Sequence, residues 1–96
     1  MKPSDALNSH REEIRRIAER NHTRNPRVFG SVLHGNDSDE SDLDILVEPT
    51  PDTTLLDIAR IQNQLQKIMG VSVDVLTPKS LPERFRDQVL SEARPV

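Results

Sequence analysis

The run Asp42-Leu43-Asp44-Ile45-Leu46-Val47 constrains this chain more than any other. Side chains of a strand alternate between faces, and residues i and i+2 share a face with Cα atoms roughly 6.6 Å apart. Leu43, Ile45 and Val47 then point into a core, while Asp42 and Asp44 stand side by side on the opposite face. The plain account is a pair of surface carboxylates on an amphipathic strand. Asp is disfavoured in strands, however, so two of them beside an apolar run need a further reason. A cation site supplies one: such a pair plus one more carboxylate can hold two divalent ions about 3.5–4 Å apart. Upstream, Val28-Phe29 leads into Gly30-Ser31, and ten residues separate Ser31 from Asp42. Glycine lets backbone approach a ligand closely, and a turn of N–H groups there can cradle phosphate.

The other elements follow from spacing. Residues 4–21 read as one helix, with Ser4 as N-cap and Leu7, Ile14, Ile17 and Ala18 in a narrow apolar stripe. Its many charges read as a solvated face with i,i+4 pairs. Asn21 to Pro26 reads as a loop, and Val28-Phe29 begins a short strand. Ser31 to Gly35 has room for one helical turn, whose N-terminus would suit a phosphate. Asn36 to Ser41 is a polar, acidic loop before the strand Leu43 to Val47. Thr53 or Thr54 caps a helix reaching Met69, with Leu55, Ile58, Ile61, Leu65 and Ile68 on one face and Gly70 as its stop. Val71 to Leu76 alternates as a strand, with Val71, Val73 and Val75 on one face and Ser72, Asp74 and Leu76 on the other. A last helix covers Leu81 to Ala93, with Phe85, Val89 and Leu90 inward. Strands alternating with helices predict a layered α/β domain.

Ninety-six residues make a single domain, 1–96. The apolar share is 33%, so the core is expected to be thin and a partner surface to cover part of it. Cysteine is absent, which excludes a disulfide framework and thiolate chemistry. The polar N-terminus shows neither signal peptide nor membrane span, and cytoplasmic residence is the default expectation. A net charge of −3 and only two aromatics argue against direct nucleic-acid binding, which needs a basic face and stacking platforms.

Gly30-Ser31, ten residues, then Asp42-x-Asp44 resembles the signature of the nucleotidyltransferase superfamily that includes DNA polymerase beta. The surrounding residues, Arg27-Val-Phe-Gly-Ser and Leu43-Asp-Ile-Leu-Val47, are similar to its smallest members, the minimal nucleotidyltransferases, many of which are antitoxins paired with HEPN-domain toxins. The family's third Asp has its match in Asp74. One departure stands out: Leu33-His34-Gly35 occupies the place of the family's frequent Ala-Arg-Gly, so a cation is replaced. The resemblance implies a small mixed sheet of the polymerase-beta palm type flanked by helices, with carboxylates on two neighbouring strands. It implies two Mg²⁺ ions, a hard cation suited to oxygen ligands, held by Asp42, Asp44 and Asp74. Asp74 would also take up the proton of the attacking hydroxyl, and Gly30 and Ser31 would bind the departing phosphates of ATP. The activity implied is transfer of AMP to a hydroxyl, expected to be a tyrosine of a HEPN ribonuclease toxin, within a hetero-oligomer. The rivals are an antitoxin that only occludes its toxin and a transferase acting on a small-molecule hydroxyl. The short segment after Asp74 is expected to leave no room for a domain that grips such a molecule, which counts against the last of these.

Other constellations are weaker. Asp37, Asp39, Ser41 and Glu48 fall at EF-hand positions, but Asp42 stands where that loop needs glycine. His10 and His22 read as solvated, and His34 either touches a phosphate or merely fills its place. Three scattered histidines lack zinc spacing. Lys79, Arg84, Arg86 and Arg94 read as a solvated helix face, with phosphate or partner contact as the alternative.

Overall fold

The apolar runs read as strands do pair into one sheet. The computed structural model describes residues 1–96. Its strands are β1 (Thr23–Phe29), β2 (Leu43–Pro49), β3 (Val73–Leu76) and β4 (Arg94–Pro95), in the order β3-β2-β1-β4. β2 runs parallel to β3 and antiparallel to β1, and β1 is antiparallel to β4. The sheet is therefore mixed, as expected. Parallel neighbours need a crossover, and the helix α3 (Leu55–Met69) supplies it. Its ends follow the sequence: Thr54 and Asp57 form a capping box, and Gly70 stops the helix at φ +67°.

One face of the sheet carries the main core. Val28, Leu43, Ile45, Val47, Val73 and Val75 pack there against the helices α1 (Pro3–Ser9), α2 (Arg11–Arg20) and α3. Burying each such side chain contributes about 1.5–3 kcal/mol. The other face is covered in part by α4 (Glu83–Glu92): Phe29, Leu46 and Leu81 form a small second cluster, joined by Val89, Leu90 and Ala93. The outer edge of β3 is closed by side chains of α3, since Val73 and Val75 N–H donate to Gln66 and Gln62 Oε1 at 3.0 and 3.1 Å. A bare strand edge invites pairing with other chains, and these glutamines occupy it. No helix is long and apolar enough to cross a membrane.

Several local expectations are corrected. The first helix is two, broken at His10 (φ −129°, ψ 19°). Ser4 is not its cap. Lys2 precedes the helix and Pro3 opens it, where proline's missing N–H costs nothing. The Ser4 N–H is taken instead by Asp37 Oδ2 at 2.9 Å. β1 begins at Thr23, because a bulge between Arg24 and Arg27 accommodates Pro26 within the strand, with Asn25 at φ +51°. The buried stripe of α3 is Asp57, Ile61, Leu65 and Met69, while Leu55 is 90% exposed and Ile68 also faces solvent. Phe85 is not inward; it is 46% exposed, and Leu81 fills the space beneath α4. β4 had no signal at all, since it is two residues long and held by backbone bonds to β1.

Candidate active site

The parallel register sets Asp44 of β2 opposite Asp74 of β3. The antiparallel register sets Phe29 of β1 opposite Asp44 on its other side. One row across the sheet thus reads Phe29, Asp44, Asp74, with neighbouring strands about 4.8 Å apart. Asp42 lies immediately before β2, two residues from Asp44. Asp42 and Asp74 are exposed and Asp44 is half-buried. The pattern of burial in β2 confirms the reading of its faces: Leu43, Ile45 and Val47 are fully buried in the main core.

Asp44 is electrostatically uncomfortable. Burial first, then the charges of Asp74 and Asp42, push its carboxyl up to about 6. No group of three Asp, Glu, His or Cys side chains is drawn in tightly enough to grasp a metal ion. Asp44 and Asp74 are register partners, and the charges of Asp74 and Asp42 both bear on Asp44. Their donor set is hard oxygen, and their unbalanced charge is what a divalent cation relieves; the residues therefore fit Mg²⁺.

Gly30 fixes the place of Asp44. It ends β1 at φ +76°, and a Cβ built on it would strike Asp44 Oδ2 and lie 3.2 Å from its Cγ. A glycine is required here twice over, by backbone and by contact. After it the chain makes a hydrogen-bonded turn, with His34 N–H donating to Gly30 O at 3.2 Å and Asn36 N–H to Ser31 O at 2.9 Å. The expected helical turn is thus present only as linked turns. The N–H groups of Ser31, Val32 and Leu33 donate to no backbone carbonyl.

His34 does not stand free beside this turn. Its Nε2 meets Glu92 Oε2 of α4 at 3.2 Å. The residues of the rejected calcium loop are dispersed, Asp37 onto Ser4 and Asp39 towards the N-terminus. His22 is paired rather than merely solvated, 3.3 Å from buried Asp57. The basic cluster is divided: Arg86 donates to the carbonyls of Pro78, Lys79 and Leu81, and Arg84 lies over the Phe85 ring. Sequence reasoning also missed a groove of about 380 Å³ beside Gly30, beneath α4. The sequence carried no signal for it, because spacing placed Phe85 inward with Val89 and Leu90.

A half-covered mixed sheet thus carries Asp44 and Asp74 in register on adjacent strands, beside the Gly30 turn. Residues 12–96 match the family described as polymerase beta, nucleotidyltransferase, and the chain belongs to that family. A candidate protein adenylyltransferase of Methanocaldococcus jannaschii is 39% identical over 66 residues, which are 69% of this chain and 71% of that protein. The protein adenylyltransferase MntA of Thermococcus cleftensis is 34% identical over 86 residues, covering 90% of this chain and 84% of its own. Among solved structures, a candidate minimal nucleotidyltransferase superposes with a TM-score of 0.86 at 40% identity, over 97% of this chain and 95% of the other. The fold also matches, at TM-score 0.68 and 16% identity, a structure of a tri-AMPylated Shewanella oneidensis HEPN toxin in complex with its MNT antitoxin, over 93% of this chain and 70% of that one.

Proposed function

We propose that this chain is a single-domain protein adenylyltransferase, residues 1–96, which transfers AMP from ATP to a hydroxyl of a partner protein. The observation that carries the reading is the register of Asp44 with Asp74, beside the Gly30 turn. Asp42, Asp44 and Asp74 would hold Mg²⁺, which when bound stabilises charge on the oxygens of an in-line displacement at the α-phosphate. Gly30 and Ser31 would receive the β- and γ-phosphates through the turn's N–H groups. Asp74 stands exposed on the edge strand, where a large acceptor can reach it. It takes the acceptor's proton as the new O–P bond forms and pyrophosphate departs.

The relatives named for protein adenylyltransfer support a protein acceptor. The AMPylated HEPN toxin of the structural match supports a HEPN toxin as partner. We extend the reading to a ribonuclease toxin modified on tyrosine and thereby neutralised, in a cytoplasmic hetero-complex without nucleic acid or membrane. One observation favours a second reading, an antitoxin acting by occlusion: His34 is engaged with Glu92 and adds no free cation to the phosphate turn. The test mixes sub-stoichiometric protein with excess HEPN toxin, ATP and Mg²⁺, followed by intact mass and RNA cleavage. Catalysis yields toxin heavier by one or more AMP units and silenced in excess of the antitoxin. Unshifted mass with full residual cleavage leaves only occlusion.

A further inference from the structure

The groove beneath α4 has an apolar floor, formed by Phe29 and Leu76 of the sheet and by Leu81 and Val89. Gly30 forms part of its wall, and none of Asp42, Asp44 and Asp74 does. It therefore opens on the phosphate turn, with the carboxylates at its border and not in its lining. That places it on the nucleotide's side of the reaction. Its size suits a planar ring system with its sugar.

Two lining residues of α4 give the groove chemistry. Phe85 leaves 46% of its surface exposed, with the Arg84 guanidinium 4.8 Å from its ring centroid. Gln88 is oriented by charge. Its Nε2 donates to Glu92 Oε1 at 3.3 Å, and Glu92 Oε2 in turn meets His34 Nε2 at 3.2 Å. An ionised carboxylate only accepts, so the amide must turn its NH₂ towards Glu92. Gln88 Oε1 is left as the half of the amide with no partner in the protein. His34, where the family resemblance expects arginine, is the far anchor of this chain of contacts.

We propose that the groove receives the base of the nucleotide, with Phe85 as its stacking surface and Gln88 Oε1 as the selector for a 6-amino purine. This rests on the nucleotidyltransferase reading above. Adenine offers an N6 amino donor to the carbonyl, whereas guanine sets its O6 acceptor there, and two acceptors repel. The stacking is tolerant of base identity, while the carbonyl is not.

Calorimetric titration in Mg²⁺ tests this with three probes: α,β-methylene ATP, α,β-methylene GTP and inorganic tripolyphosphate. The parent protein should bind the ATP analogue about tenfold or more tighter than the GTP analogue, the scale of one base-edge discrimination. Phe85→Ala should weaken the ATP analogue about tenfold and leave tripolyphosphate unchanged, and Phe85→Tyr should retain parental affinity. Gln88→Ala should bring the two analogues close to equal, by weakening the ATP analogue and relieving the repulsion of the GTP analogue. Gln88 is exposed, so this variant tests the selector even where Phe85→Ala misfolds. Tripolyphosphate binding with equal affinity for both analogues in the parent, or parental ATP affinity in both alanine variants, overturns the base groove alone. A parent that binds none of the three probes overturns the nucleotidyltransferase reading and the groove with it.

Discussion

The two faces of β2 are chemically opposite, though one residue apart. Inward, Leu43, Ile45 and Val47 are all 0% exposed, covered along the strand by α1, α2 and α3. Outward, Leu46 is equally buried, under Leu81 and α4, but Asp44 two residues earlier lies beyond that cover and is only half-buried. The site sits where the second layer stops. A carboxylate there is dry enough for charge to matter and open enough for a substrate to reach.

The largest expected effect breaks the inner face. Val75→Asp places an unpaired charge in the main core, at a cost of more than about 3 kcal/mol in a chain this size. Asp74, its immediate neighbour, is a native carboxylate and is tolerated because it faces outward. Urea denaturation should find Val75→Asp largely unfolded, and a parental midpoint would overturn the assignment of faces.

Next comes the turn that positions the outer face. Gly30→Ala drives a methyl into Asp44 at a backbone of φ +76°. Gly35→Ala meets a similar φ of +72° but no atom within 4 Å. Both should lose about 1 kcal/mol or more to backbone strain. Only Gly30→Ala should also abolish AMP transfer, because only it displaces a carboxylate. Equal activity in the two variants would show that Asp44 does not depend on Gly30.

The cap of α3 is a smaller, purely structural matter. Thr54→Ala should cost about 1 kcal/mol without touching transfer. The Thr54 N–H, with His22 beside it, holds the Asp57 carboxyl below the ordinary carboxylate value of 3.8. A depressed acid stabilises the fold above that value and loses the contribution as pH falls through its folded pKa. Asp57→Asn should therefore flatten the acid limb of the stability curve below pH 4, measured by thermal melts across pH.

What the sequence made legible divides along the same line. Wherever alternation was clean, as in Leu43 to Val47 and in Val73 to Leu76, faces could be read, while the meeting of Asp44 and Asp74 on neighbouring strands was implied by the family resemblance and not by the pattern. The Gly30 turn was legible through the resemblance of Gly30-Ser31, ten residues and Asp42-x-Asp44 to a known signature. Illegible were features owed to distant contacts. Asp37 caps a helix 33 residues away, Pro26 enters a strand through a bulge, and β4 has no side-chain pattern of its own. The groove depended on Phe85 turning outward, which spacing alone placed inward. Its partner chain, Gln88 to Glu92 to His34, joins α4 to the turn across 58 residues of sequence.

The most telling change in stability is a gain and not a loss. Asp44→Asn removes the charge that the outer face tolerates least. The folded Asp44 carboxyl is raised to about 6 by burial first, then by Asp74 and Asp42. A raised acid destabilises the fold once ionised. Stability falls as pH climbs from the unfolded value towards the folded one, and above about 6 the loss is complete. In chelator-treated protein, Asp44→Asn should then melt above the parent at pH 7.5, with the gain shrinking as pH drops below 6 and vanishing near pH 4. The same variant should transfer no AMP. Mg²⁺ should reverse the order by stabilising the parent alone, since binding to the folded state adds to its stability. A variant that is less stable than the parent at pH 7.5 without metal would mean that Asp44 belongs to the structure of the sheet. One that is more stable and inactive would mean that the outer face gives up stability for its chemistry, which the inner face never does.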